Sequence, residues 1–136
     1  MKKISKYFLL FSLLGGLIIS CSKESKTETA LNRSSLTGTW MVTESSKKAT
    51  YEVTILIDSA TSTGVWIVNF AGAGQNIKAF ANLTGNTLSL TNNELLSNGW
   101  IVNGSGQIVG TARIEWPYSL HDGANQTNIQ AVFTKK

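Results

Sequence analysis

An all-β fold is predicted: a single small antiparallel up-and-down β-barrel of about eight strands, with a β-sandwich as the alternative. Three observations predict it. Several segments alternate apolar and polar residues with period two. Glycine- and asparagine-rich turns separate them at short intervals. No segment after residue 20 keeps a helical period. The short intervals favour hairpins, because a parallel crossover needs about a dozen residues or more.

The elements are taken from the N terminus. Lys2, Lys3 and Lys6 precede an apolar stretch from Tyr7 to Ile19 that is broken only by Ser12, Gly15 and Gly16. As a helix, about 13 residues extend roughly 20 Å, too short for a hydrocarbon core of about 30 Å. Residues 1–20 therefore read as a cleaved secretory signal. Cys21, the single cysteine of the chain, follows at the polar boundary. One cysteine excludes an intramolecular disulfide and a cysteine-based metal cluster. A thiol at the water edge of an apolar helix suits acyl transfer, and each buried methylene of an attached chain contributes about 0.8 kcal/mol to membrane binding.

Ile18-Ile19-Ser20-Cys21 resembles the lipobox of bacterial lipoproteins. The resemblance implies that Cys21 carries a covalent lipid, palmitate-type chains included, and becomes the first residue of the mature protein. No other cofactor is expected. Ser22 implies sorting to the outer membrane, where an aspartate would imply retention at the inner one. Some Bacteroidota lipoproteins reach the cell surface through an acidic cluster behind the cysteine. Ser22-Lys23-Glu24-Ser25-Lys26 has one acid between two lysines, so the periplasmic and the cell-surface face both stay open.

Cys21 and the residues behind it form segment 21–35; residues 22–35 are polar except for Ala30 and Leu31 and read as a flexible tether. The folded domain is expected over residues 36–136. The formal charge of +4 is largely a property of the leader. Beyond residue 20, nine basic residues face eight acidic ones, which argues against a nucleic-acid partner.

Strands are expected at 37–44, 50–58, 64–70, 76–82, 87–91, 99–103, 106–121 with an interruption at Gly110, and 126–134. Tyr51, Val53, Ile55 and Ile57 share one face. So do Ala112, Ile114, Trp116, Tyr118 and Leu120, and likewise Ile129, Ala131 and Phe133. Residues 65–70 are apolar on both parities up to Asn69, so their inward face is ambiguous. Turns are expected at Thr84-Gly85-Asn86, Asn98-Gly99, Asn103-Gly104, Gly110 and Asp122-Gly123. Pro117 cannot donate to a ladder and suggests an edge or a bulge.

Gly38-Thr39-Trp40, opening the first strand, resembles the Gly-x-Trp of lipocalin and related barrels. With Asn69-Phe70, Asp122-Gly123 and the Phe133-Thr134-Lys135 ending, the layout is similar to lipocalin-like domains of small Bacteroidota lipoproteins. In that family the tryptophan closes one barrel end under a basic residue of the last strand. The resemblance thus pairs Trp40 with Lys135, in a cation–π contact of about 0.5–2 kcal/mol.

About 100 residues over eight strands leave an interior that side chains fill. A binding surface is therefore expected on loops or on the outer face. The candidates are Trp66, Trp100, Trp116 and Tyr118, since an exposed aromatic ring is a flat platform for a glycan, a lipid or a protein. Asp122, Asn125 and Asn128 supply oxygen atoms, but without the spaced acids of a calcium loop, so no metal is expected. Asp58-Ser59-Ala60 resembles an O-glycosylation sequon of exported Bacteroidota proteins and marks Ser59. Asn82-Leu83-Thr84 matches an N-glycosylation pattern of little force in such a bacterium.

His121 lacks an evident serine partner, and Glu52, Glu94 and Glu115 form no recognisable pair. No catalytic residue is assigned and an enzyme is not expected. The expected function is a membrane-anchored, non-catalytic binding or interaction module. The alternative is a small-barrel protein inhibitor or an assembly component of an envelope complex.

Overall fold

The period-two segments close into a ring. The structure, a computed structural model, describes residues 31–46 and 50–136; the leader, Cys21 and residues 22–30 lie outside the described residues. One helical turn, α1 (Arg33–Leu36), precedes nine strand segments. These are β1 (Gly38–Glu44), β2 (Tyr51–Ile57), β3 (Gly64–Val68), β4 (Lys78–Thr84), β5 (Thr87–Leu90), β6 (Glu94–Leu95), β7 (Ile101–Val109), β8 (Arg113–His121) and β9 (Gln126–Lys135). Each pairs antiparallel with its neighbour, β1 joins β9, and β5 joins β7. The result is a closed antiparallel barrel of eight strand positions, because β5 and β6 share one. Ser89 of β5 pairs with Ser105, while Leu95 of β6 pairs with Ile101 on the same β7.

Alternation sorts the side chains as period two requires. Trp40 and Val42, Val53 and Ile55, Val65 and Ile67, Ala79 and Ala81, Leu88, Val102, Ile114 and Trp116, and Ala131 and Phe133 all point inward and are buried. Outward positions carry polar pairs such as Ser105 with Ser89 and Thr87 with Gln107. The interior is apolar and filled, where a lipid-spanning barrel has a polar one. No helix among the described residues is long and apolar enough to cross a membrane.

The strand boundaries around Gly104 differ from expectation. Asn103-Gly104 is not a turn, and the segments 99–103 and 106–121 are not the units. Instead β7 runs through Gly104 and Gly106, and the chain reverses at Gly110, whose φ is +66°. The two glycines serve close approach. A Cβ on Gly104 would lie 2.5 Å from the carbonyl oxygen of Pro117, and one on Gly106 would lie 2.6 Å from the Trp116 ring. Pro117 sits in a fully flanked strand, at neither an edge nor a bulge. The β7–β8 ladder lapses between Gly104↔Tyr118 and Gln107↔Glu115 with its register unchanged. On its other side β7 pairs there with β5, through Ser105, Gly106 and Gln107.

Two helical pieces break the expectation of strands alone. Residues 64–70 do not form one strand: Asn69 adopts a left-handed conformation (φ 64°) and starts a 3-10 turn, Phe70–Gly72. That turn drives Phe70 into the barrel end. At the other end, α1 begins on Asn32, whose side chain accepts from the Ser34 amide at 3.1 Å. The chain is thus structured ahead of Leu36. Arg33 Nη1 donates to the carbonyls of Asp58, Thr61 and Gly64 at 3.0, 2.9 and 2.9 Å, binding the helical turn to the β2–β3 loop. Leu36 is buried, and its carbonyl accepts from Trp40 Nε1 at 2.8 Å. Lys135 Nζ lies 5.7 Å from the Trp40 ring centroid and donates to the Ser35 carbonyl.

Gly106→Ala should lower stability by about 1–3 kcal/mol, as overpacking against a fixed ring does. Arg33→Ala should cost about 2 kcal/mol, the scale of hydrogen bonds to a charged group. Urea denaturation of each variant checks both values, and wild-type midpoints would refute them.

Candidate functional site

Inside the barrel, the upper half is occupied by aromatic rings. Phe70 lies edge-on to Trp116 at 5.2 Å between centroids, and 4.9 Å from Tyr118; Trp116 is 5.4 Å from Phe133. Beside them Glu44 is buried, and its Oε1 accepts from the hydroxyls of Tyr118, at 2.5 Å, and Tyr51. Burial raises the Tyr51 phenol far above its ordinary range, and the hydrogen bond to Glu44 adds to this. Burial is also the main cause of the still larger rise at Tyr118, followed by the charge of Tyr51. This region is packed core around one buried carboxylate with its two phenol donors.

The outer wall carries a different arrangement. Leu56, Trp66 and Phe80 lie side by side across β2, β3 and β4. Trp66 meets Phe80 edge-on at 4.9 Å, Lys78 Nζ stands 4.4 Å over the indole, and Asp58 Oδ1 accepts the indole N–H at 3.1 Å. The Asp58 carboxyl is held below its usual range, chiefly by the Thr61 hydroxyl that donates to it. Asp58 thereby fixes the ring from one edge while the Lys78 ammonium covers a face.

Next to this row the wall has a seam. β5 pairs with β4 only at Ala81–Thr84, and β6 pairs with β7 but not with β4. Between them lies a groove of about 600 Å³. Trp66, Asn76 and Lys78 form one lip; Glu94, Leu95 and Ser97 form the other. Glu94 Oε1 reaches across and accepts from the backbone N–H of Phe80 at 3.2 Å. Leu95 is 67% exposed, the most exposed large apolar side chain of the described residues.

The four aromatic candidates from the sequence separate. Trp116 and Tyr118 are not exposed platforms: both belong to the buried core, because their parity on β8 is the inward one. Trp66 is half-buried on the outer wall and lines the groove. Trp100 is half-buried at the base of the adjoining hairpin, its carbonyl accepting from the Leu96 amide at 2.8 Å. Ser59 is exposed on the β2–β3 loop. Lys78, Phe80, Glu94 and Leu95 were not singled out from the sequence. The parity of Lys78 and Phe80 opposite Trp66 could have found two of them, but nothing local marks Glu94.

The remaining chemistry is dispersed. His121 Nδ1 accepts from the Gly123 amide at 3.1 Å, and Asp122 Oδ1 caps the same turn through the amides of Ala124 and Asn125. Those amides hold the Asp122 carboxyl below its usual range. Glu115 pairs with Arg113, and Glu52 with Lys136. Among the described residues no three metal-binding side chains converge.

No protein-family model and no curated protein matches the chain. Similar solved structures exist, and they share the barrel. A redesigned β-barrel is 13% identical over 76% of this chain and 94% of its own, with a TM-score of 0.52. A structure described as EF1p2_mFAP2b bound to DFHBI is 12% identical over 76% of this chain and 95% of its own, with a TM-score of 0.50. At such identity the likeness concerns the fold alone.

The buried phenols yield a pH dependence. Their folded values lie above the unfolded one, so the unfolded chain releases protons that the folded chain keeps. Stability should be unaffected by them below about pH 10 and fall as pH rises beyond it. Phenolate absorbance should show Tyr51 and Tyr118 ionising only together with unfolding; ionisation within the intact fold would contradict this.

Proposed function

We propose that this chain is a membrane-anchored lipoprotein whose barrel is a non-catalytic binding or interaction module of lipocalin-like kind. The anchor is the lipid on Cys21, attached at an outer membrane on its periplasmic or cell-surface side; the leader, the lipobox and the polar tether support it. The Gly38-x-Trp40 opening and the basic residue Lys135 beside that ring support the lipocalin-like relation.

One observation carries the binding reading: the groove beside Trp66, where an aromatic ring is steadied by Asp58 and rimmed by Lys78 and Glu94. Ligand clefts of about 300–1,000 Å³ combine apolar walls with a few placed polar groups, and this groove does both. Its ligand is a glycan, a lipid or a protein approaching from the side of the barrel. A second reading, an inhibitor or assembly component of an envelope complex, is favoured by the incompletely paired strand β4. Ser59, exposed beside Asp58, is the proposed site of O-glycosylation.

Two measurements test this. Metabolic labelling with a palmitate analogue should mark the wild-type chain and not Cys21→Ala, which should leave the membrane fraction; equal labelling of both would end the anchor assignment. Trp66→Ala should abolish the tryptophan fluorescence response to a panel of glycans, lipid micelles and envelope proteins. A response surviving that substitution, or no response of the wild type to any probe, would remove the groove as the binding surface.

A further inference from the structure

The barrel end at which Leu31 enters carries a second cleft, of about 420 Å³. Leu31, Asn32, Arg33, Ser62, Thr63 and Leu83 line it. Arg33 supplies its charge. A guanidinium has five N–H donors in a planar fork. Nη1 is spent on the carbonyls of Asp58, Thr61 and Gly64, and those three bonds fix the plane. The Nε–H and the two N–H of Nη2 donate to no atom of the described residues. Nor does a carboxylate neutralise the fork: Asp58, on the same loop, accepts from Thr61 and Trp66 instead. On the other side of α1, Lys135 donates to the Ser35 carbonyl and likewise pairs with no carboxylate among the described residues. The exposed Ser62 hydroxyl and the Asn32 side-chain amide stand beside the fork, with Leu31 and Leu83 as apolar flanks.

We propose that this cleft binds the phosphoryl group of a membrane lipid, with the Nε–Nη2 edge of Arg33 donating to two of its oxygens. Two parallel N–H groups held in one plane match the oxygens of a phosphate, and the pair is charge-assisted. A phosphodiester has two unesterified oxygens for that edge and one negative charge for the guanidinium. Its glycerol and first methylenes would lie against Leu31 and Leu83. Inorganic phosphate brings the charge but nothing for the leucines, and a neutral glycan brings no charge. The choice of a lipid as the source rests on the anchor at Cys21. Ten peptide steps separate Leu31 from Cys21, so the cleft stays within about 36 Å of the anchor at about 3.6 Å per residue. A headgroup held there sets this end of the barrel against the membrane and leaves the Trp66 groove on the flank.

The test uses the full-length protein, isotope-labelled in maltoside micelles, which contain no phosphate. Short-chain phosphatidylglycerol, the diacylglycerol with the same chains, and inorganic phosphate are titrated while the Arg33 Nε–H resonance is followed. Phosphatidylglycerol should shift that resonance saturably and bind at least tenfold more tightly than inorganic phosphate. The diacylglycerol should leave it in place. Ser62→Glu puts a carboxylate in the cleft while keeping the Arg33–carbonyl bonds, and should weaken lipid binding at least tenfold. Arg33→Lys keeps the charge without the fork and should weaken it by a similar factor. Cys21→Ala should bind the short-chain lipid as the wild type does, so the cleft and the anchor give separate results.

An unmoved Nε–H resonance at high phosphatidylglycerol concentration would overturn the inference. So would equal binding of the diacylglycerol, or undiminished affinity in Ser62→Glu or Arg33→Lys. Inorganic phosphate binding as tightly as the lipid would overturn the lipid as source. Palmitate labelling at Cys21 together with an unmoved Arg33 resonance would remove the headgroup site and leave the anchor standing.

Discussion

Closure of the ring governs this structure. Eight strand positions on about 100 residues enclose a space that side chains fill, and away from the β4–β6 seam each strand is held by a ladder on both sides. Size must therefore be balanced across the axis. Trp40, Trp116, Phe70 and Phe133 are fully buried, and their bulk is accommodated by Ala79, Ala81, Ala131 and the bare backbone of Gly106. The same pressure explains why Gly104 and Gly106 lie within a strand. A barrel wall that carries Trp116 on one strand needs an absent side chain on the next.

Closure is also where the structure departs from regularity. One wall position is filled by two short strands, joined through Asn93, whose φ is +53°. Its backbone N–H donates to Asn103 Oδ1, and its own Oδ1 accepts from Asn103 Nδ2 at 3.0 Å. This detour keeps β7 paired along its length but leaves the upper part of β4 with a single ladder. The groove is thus a direct product of the way the barrel completes itself. Trp66 and Phe80 then cover the outer side of the strands beside the gap, which is why they are outside the core despite their size.

Much of the fold was legible because period two is a strong local signal. The parities of β2, β8 and β9 were readable residue by residue, and so were the turns at Gly85, Gly99, Gly110 and Gly123. Gly104 was not, since a glycine that relieves a cross-strand clash looks the same in sequence as one that turns a chain. The distinction depends on Pro117 and Tyr118, a dozen or so residues away and adjacent only after folding. The 3-10 turn at Phe70 was hidden for a related reason: residues 65–70 carry apolar side chains on both parities, and three of them serve the core while two serve the outer wall. For the site, Trp66 could be named as an aromatic candidate but not told apart from Trp116. Glu94 could not be named at all, because its role depends on which strand ends where.

The three-carbonyl grip of Arg33 has a mechanical consequence. A pull on the chain ahead of Leu31 enters the barrel through one guanidinium nitrogen fixed to the β2–β3 loop, before it reaches the hydrogen bonds of β1. That contact ties the start of the described chain to a hairpin other than the one β1 begins. The first helical turn and the β2–β3 hairpin thus share a load that the β1 ladder would otherwise meet by itself.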